Sequence, residues 1–335
     1  MRTFDDLSDI QNGEADFFRH GHLPLYSERN LFQLSESAGK NESRVDLYLK
    51  LKKIGRLKQV IAPATAKILN PLFDEFVEEM PNFKEVIEYF RLQSILRNRA
   101  ESPIFGISNP VLLTGSPGIG KTYFGRRISE IFCLEFLAID LATTTASFEL
   151  TGASSSWTES KPGAIFTQLV FGETINPLIL LDEVEKAPNG NFPCHSSLFK
   201  LLNPDQSSSF ADEFVAPFSV DASKIIYILT ANDLASVHPA ILDRCVIFNI
   251  EAPEPDQAES IAMSVWKRLQ KTEPYAQSFN DNLSKELLMA LAHHTPRDMK
   301  KSLIRAMGKA AMRDSDTLES LDLSEAKPAM RRMGF

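Results

Sequence analysis

The sequence predicts an α/β fold: a five-stranded parallel sheet, preceded by a helical N-terminal segment and followed by a small helical domain. Three observations carry that prediction. Five short apolar runs alternate with helical stretches between Pro103 and Ile250. A glycine-rich turn joins the first of these runs to the helix after it. Beyond Pro253 and Pro255 only helical periods remain. The expected division is therefore 1–105, 106–251 and 252–335.

The first segment reads as polar and mostly helical. Its first forty residues have few periodic apolar positions, and Gly13, Gly21, Pro24 and Gly39 interrupt them. From Leu47 a seam of Leu47, Leu51, Ile54, Leu57 and Ile61 recurs at helical spacing. Lys50, Lys52, Lys53, Arg56 and Lys58 surround it, either as a solvated face or as a contact for an acidic partner or nucleic acid. Pro81 then opens a helix through Val86, Tyr89, Phe90, Leu92 and Ile95. Proline suits a first turn because an N–H there would bond nothing within the helix.

The five runs are Val111–Leu113, Phe136–Ile139, Leu178–Leu181, Ile225–Leu229 and Val246–Ile250. Near-continuous apolar runs are what a sheet covered on both faces requires. Phe214 to Val220 leaves room for a hairpin before the fourth run. In the last segment, Ile261, Val265 and Leu269 form one seam. Leu287, Leu288 and Leu291 form a second, and Met299, Leu303 and Met307 a third. The tail from Asp314 to Phe335 fits no single pattern.

Composition narrows the function. With 335 residues, 43% hydrophobic and 24% charged, the chain has a globular balance and enough length for a core. The net charge of −8 disfavours nucleic acid as the main ligand, since phosphate binders are usually basic. No apolar stretch is long enough to span a membrane, and the N-terminus lacks a signal-peptide pattern. Cys133, Cys194 and Cys245 are far apart, which excludes a disulfide scaffold and suits a reducing, cytoplasmic setting.

Three motifs carry chemistry. Gly115-Ser116-Pro117-Gly118-Ile119-Gly120-Lys121-Thr122 fits the phosphate-binding loop G-x-x-x-x-G-K-[ST]. Its backbone amides and the following helix N-terminus attract phosphate, Lys121 reaches the outer phosphates, and Thr122 can ligate Mg²⁺. Asp182 and Glu183 end the third apolar run. There Asp182 can hold the metal through water, and Glu183 can deprotonate an attacking water. Asn232, at the end of the fourth run, is placed beside a γ-phosphate. The Cys194-His195 dipeptide is not a nucleophile pair, because adjacent residues rarely face each other in that geometry.

These motifs, in this order, resemble the AAA+ ATPases. Residues from about 110 to 300 look like the ATPase module of the Lon ATP-dependent proteases. Leu178 to Ala187 (LILLDEVEKA) is similar to that family's Walker B segment. Leu198 to Phe214 (LFKLLNPDQSSSFADEF) resembles its next helix and the loop leading to the pre-sensor hairpin. Ile228 to Asn232 falls on sensor 1, Ala240 to Arg244 on the arginine-finger segment, and Thr295 to Asp298 on sensor 2. The resemblance implies ATP and Mg²⁺ as cofactors, bound between the large domain and a helical lid. It implies Arg297 as the sensor of the γ-phosphate in the same subunit, and Arg244 as the finger entering a neighbour's site. It further implies a homo-oligomeric ring, by analogy a hexamer, that acts on protein clients in a chaperone-like role in protein quality control.

Two departures bear on function. The chain stops about where a Lon peptidase would begin, so a module without its own peptidase is expected, with room for a separate peptidase partner. Trp157-Thr158-Glu159 stands where the family's aromatic-aliphatic-glycine pore loop precedes Pro162-Gly163. Only the aromatic is kept. Trp157 either grips clients or packs under its own loop. The competing readings are a nucleotide-dependent switch or scaffold with little turnover, and a DNA-acting ATPase.

Overall fold

The computed structural model describes residues 21–39, 41–100, 102–144, 147–154, 160–187 and 194–323. Their contacts divide them into two compact units. One comprises the described residues up to Phe73 with Val86–Gly115 and Lys121–Asn249. The other comprises Asp74–Glu85, Ser116–Gly120 and the residues from Ile250 onward.

The sheet of the first unit has the five predicted strands. They are β3 (Val111–Thr114), β4 (Phe136–Asp140), β5 (Leu178–Asp182), β6 (Ile226–Ala231) and β7 (Val246–Asn249). All pairings are parallel, in the order β4-β5-β6-β3-β7. The burial pattern explains the sequence pattern. Central β3, β5 and β6 are buried almost throughout, while edge strands β4 and β7 alternate with more exposed positions. Because the strands run parallel, the residues after β3, β5 and β6 emerge on one rim. Segments more than a hundred residues apart in sequence therefore converge there.

The N-terminal elements build onto this sheet. Strand β1 (His22–Pro24) pairs antiparallel with β2 (Leu57–Gln59). Between them lie helix Glu28–Ala38, capped by Ser27, and helix Glu42–Ile54, capped by Asn41. In each case the cap side chain accepts an N–H of the first turn. The predicted seam from Leu47 is thus cut short. Leu47 and Leu51 are buried, but the chain leaves the helix after Ile54, and Leu57 is an exposed strand residue. Backbone pairing with β1 takes the donors and acceptors that further helix would have used.

Lys58 does not belong to a basic face. It is buried, and its Nζ donates to the carbonyls of Val170 and Gly172, both at 2.6 Å. Those carbonyls end helix Ala164–Phe171, where a cation satisfies orphan acceptors and opposes the helix dipole. Lys50 pairs instead with Asp46 at 2.8 Å.

One core joins these layers. Leu23, Leu25, Tyr26, Leu34 and Leu51 share it with Leu112, Ile179, Phe166 and Phe218. The Tyr26 ring meets Phe218 edge-on at 5.1 Å. Helix Lys84–Arg99 follows a 3₁₀ turn at Pro81–Phe83, as the proline suggested. Its inward face is Val86, Ile87 and Phe90, whereas Leu92 and Ile95 are exposed. The expected hairpin over Phe214 to Val220 reduces to a single bridge, Phe210 to Val220. Pro217 lacks a donor, and Asp212 takes the Phe214 N–H that a ladder would need.

In the second unit, helices Pro255–Thr272, Lys285–Leu291 and Pro296–Met312 form a separate core. Met299, Leu303 and Met307 are buried as their spacing requires. Trp266 is fully buried at its centre and donates its indole N–H to the carbonyls of Asn280 and Asp281. A 3₁₀ turn at Ser320–Leu323 closes the unit through buried Asp322, which Arg313 holds at 2.5 Å. Among the described residues no helix is long and apolar enough to cross a membrane.

Candidate nucleotide site

On the rim of the first unit, helix Lys121–Ile131 begins directly after the glycine-rich loop. The Lys121 ammonium donates to the Gly115 carbonyl at 2.6 Å and to Asn232 Oδ1 at 3.0 Å. Two of the predicted residues, 111 positions apart, therefore share a hydrogen bond. Thr122 Oγ1 donates to Asp182 Oδ2 at 2.8 Å, so the two residues expected to hold Mg²⁺ are neighbours. An octahedral Mg²⁺ keeps most of its waters and takes one or two protein ligands, so this hydroxyl–carboxylate pair fits it.

Glu183 lies in the left-handed region, with φ 55° and ψ 51°. A non-glycine residue there is strained and held by its surroundings. Its N–H donates to Thr230 Oγ1 at 3.0 Å, and Thr230 in turn donates to Asp182. Its carboxylate accepts from Lys186 Nζ at 2.8 Å and from Asn232 Nδ2 at 3.1 Å. The Lys186 hydrogen bond, followed by that from Asn232, holds Glu183 below the usual carboxylate range. The Asn232 N–H donates to Glu185 Oε1 at 3.0 Å, while Glu185 Oε2 is buried without a partner.

Sequence reasoning named Lys121, Thr122, Asp182, Glu183 and Asn232; Lys121, Asn232 and Glu183 form one hydrogen-bonded set, Thr122 and Asp182 another, and Thr230 joins the two. It missed Thr230, Glu185 and Lys186. Thr230 was legible in principle, because a hydroxyl inside an otherwise apolar strand needs a buried partner.

In the second unit, Ser116 to Gly120 lie among the helices. Gly120 has φ +111°, and a Cβ added there would come within 2.9 Å of Met80 Cε. The positive φ strains any residue with a Cβ, so the turn favours glycine. A Cβ on Gly118 would lie 3.3 Å from Thr295 Oγ1 and 3.5 Å from Arg297 Cβ. Arg297 is exposed in the first turn of helix Pro296–Met312, where Thr295 caps Asp298. The loop residues Ser116–Gly120 and the predicted sensor arginine thus fall in one unit.

Arg244 stands apart from this cluster. It is half-buried behind helix Pro239–Leu242, with Nη1 on the Ala240 carbonyl. Trp157 lies outside the described residues. The neck of its loop does not. Ala153 N–H donates to the Lys161 carbonyl at 3.3 Å, and Gly163 N–H to Asp212 Oδ2 at 2.8 Å. Asp212 is fully buried, and burial, against these backbone donors, pushes its carboxyl up to about 7. Gly152 packs so closely that an added Cβ would sit 2.1 Å from Asp212 Oδ1. Cys194 is buried, which pushes its thiol up to about 11 and leaves it unreactive.

Residues 111–251 match the family described as "ATPase family associated with various cellular activities (AAA)". The Lon protease of Flavobacterium johnsoniae is 33% identical over 180 residues, covering 53% of this chain and 21% of that protein. The mitochondrial Lon protease homolog of Kluyveromyces lactis is 27% identical over 263 residues, covering 76% of this chain and 23% of that one. The chain thus spans about a fifth of the length of these curated relatives. Among solved structures, the S. cerevisiae Hsp104:casein complex in its extended conformation has the same fold. Its TM-score is 0.60 at 16% identity, over 76% of this chain and 49% of that one. Residues 111–251 therefore form an AAA ATPase domain, similar to the corresponding region of the Lon proteases.

Proposed function

We propose that this chain binds ATP with Mg²⁺, hydrolyses it within a ring of identical subunits, and uses the cycle to remodel protein clients. The observation that carries the chemistry is the group formed by Lys121, Asn232, Glu183, Thr122 and Asp182. Loop amides from Gly115 to Gly120 and Lys121 hold the phosphates. Thr122 and Asp182 would hold the metal, which supplies charge neutralisation on the phosphate oxygens when bound. Asn232 bonds both Lys121 and Glu183, which suits it to orient water between the terminal phosphate and the base. Glu183 then takes the proton as the water oxygen bonds to the γ-phosphorus and the bond from that phosphorus to the bridging oxygen breaks, releasing ADP. Its ionised state at neutral pH, secured by Lys186, is the state that can accept a proton.

Arg297 serves as the sensor from the helical unit, and Arg244 as the finger on a neighbour's nucleotide, which requires a closed oligomer and favours six subunits. Trp157 is the client-gripping residue. The decisive experiment measures ATP turnover with and without an unfolded protein. Turnover that rises several-fold with the client supports remodelling. A flat, low turnover favours the nucleotide-dependent switch, the reading that the altered Trp157-Thr158-Glu159 triplet favours. The DNA-acting reading is weaker, because buried Lys58 cannot reach a phosphate backbone.

A further inference from the structure

Arg244 is held in an unusual way for an arginine near a surface. Its guanidinium carbon lies 5.5 Å from the centre of the Phe199 ring, within cation–π range. Its guanidinium donates from Nη1 to the Ala240 carbonyl, at 2.5 Å. Its Nε is buried and unpartnered. Phe199 is itself fixed, since Leu198 and Leu201 of the same short helix are in the core. The ring has His238 at 5.0 Å and His195 at 6.3 Å as further neighbours. His238 Nδ1 accepts the Ala240 N–H at 3.1 Å and so caps the helix that carries the Ala240 carbonyl. Burial, then the nearby His238, pushes His195 below its usual value, which disfavours a second cation beside the guanidinium.

The choice of partners matters. A carboxylate would hold an arginine more firmly, but it would also compensate its charge and compete with phosphate. An aromatic face and a carbonyl restrict the side chain without cancelling the charge. Restricting a long side chain costs rotamer entropy, and leaving Nε unpaired costs desolvation. An arrangement that tolerates both costs favours direction over stability.

We propose that Phe199 is the positioning residue for Arg244, aiming its guanidinium at the terminal phosphates of a nucleotide held by a second copy of this chain. The proposal rests on the reading of Arg244 as a finger in trans. Phe199→Leu removes the π face at nearly constant bulk. At saturating ATP its turnover should fall about 3- to 30-fold, the rate equivalent of one cation–π contact. Its affinity for ATP should stay within twofold, because the loop that binds nucleotide is untouched. Phe199→Tyr should keep near-normal turnover. Mixing Phe199→Leu with Lys121→Ala protein should restore activity, because each Lys121→Ala subunit offers an intact Phe199–Arg244 pair. Pentafluorophenylalanine at position 199 keeps the shape and reverses the ring's charge distribution, so it serves if the leucine variant fails to fold. It should lose turnover as leucine does. Normal turnover in either variant, with Arg244→Ala inactive, overturns the positioning role and leaves the finger intact. An active Arg244→Ala overturns the finger reading itself, and the proposal with it.

Discussion

In the proposed mechanism Glu183 is the base, and there single atoms would decide rate. Replacing it by Gln keeps the size and the bonds from Asn232 but removes the proton acceptor. Turnover should fall about 10²–10⁴-fold while ATP binding persists, as measured by steady-state hydrolysis beside fluorescent-nucleotide titration. Lys186 tunes the same carboxylate. With Lys186 in place the Glu183 pKa is depressed, so the base stays ionised to lower pH. Lys186→Met should let that pKa rise and move the acid limb of the pH–rate profile to higher pH. An unmoved limb would show that Lys186 does not act on the base. For Lys121→Ala, nucleotide affinity should be lost, because only backbone amides and the helix end then face the phosphates.

Elements are tied together by groups that a sequence disguises. Asp212 joins the segment before β6 to the neck of the Trp157 loop through the N–H groups of Gly163 and Phe214. Asp212→Ala would leave two buried donors unbonded, each worth about 1–3 kcal/mol, and should lower the urea midpoint accordingly. The sign of its pH dependence follows from burial. A folded-state pKa of about 7 stands above the unfolded value near 3.9. Its stabilising contribution is therefore complete below about pH 4 and is lost as pH rises through 7. Asp212→Asn cannot titrate, so urea unfolding of this variant should lack that share of the slope between pH 4 and 7. An identical slope in wild type and variant would place the titration elsewhere.

The same scale shows what was legible and why. The five strands could be read because burial on both faces demands unbroken apolar runs. The glycine-rich turn before helix Lys121–Ile131 could be read because its glycines, at fixed spacing after an apolar strand, demand a turn there. Leu92 and Ile95 misled because their period matches a helix but not the face that packs, which follows Val86, Ile87 and Phe90. Lys58 and Asp212 were hidden for a common reason. Both are charged types that usually face water, yet both bind backbone groups set by tertiary position, whereas exposed Lys186 pairs with Glu183 only three residues away. Backbone carbonyls and N–H groups are the same in every residue, so no sequence pattern announces that Lys58 or Asp212 will bind them.

At the scale of the whole molecule, assembly is the property to test. Arg244→Ala should bind ATP normally yet hydrolyse it hardly at all, since a finger in trans contributes about 10³–10⁵ in rate. Mixing it with Lys121→Ala should recover part of the activity, because one intact face from each variant completes a site. Wild-type turnover per subunit should also fall on dilution. Turnover that stays constant down to monomers, measured beside sedimentation, would rule out catalysis across an interface.

The shared core of the first unit also sets limits on engineering. A chimaera that grafts this ATPase from residue 106 onward would seem natural from its motifs. It would strip away Leu23, Leu25, Tyr26, Leu34, Leu47 and Leu51, all buried against the layer that carries the sheet. At about 1.5–3 kcal/mol for each buried side chain, the loss approaches or exceeds the ~5–15 kcal/mol that holds a typical domain together. The graft would also leave the end of helix Ala164–Phe171 without the Lys58 ammonium. Such a fragment should precipitate or bind hydrophobic dyes, whereas one that begins before His22 should stay soluble and bind no dye. For transplantation between proteins, the smallest portable piece of this ATPase therefore starts well upstream of its glycine-rich loop.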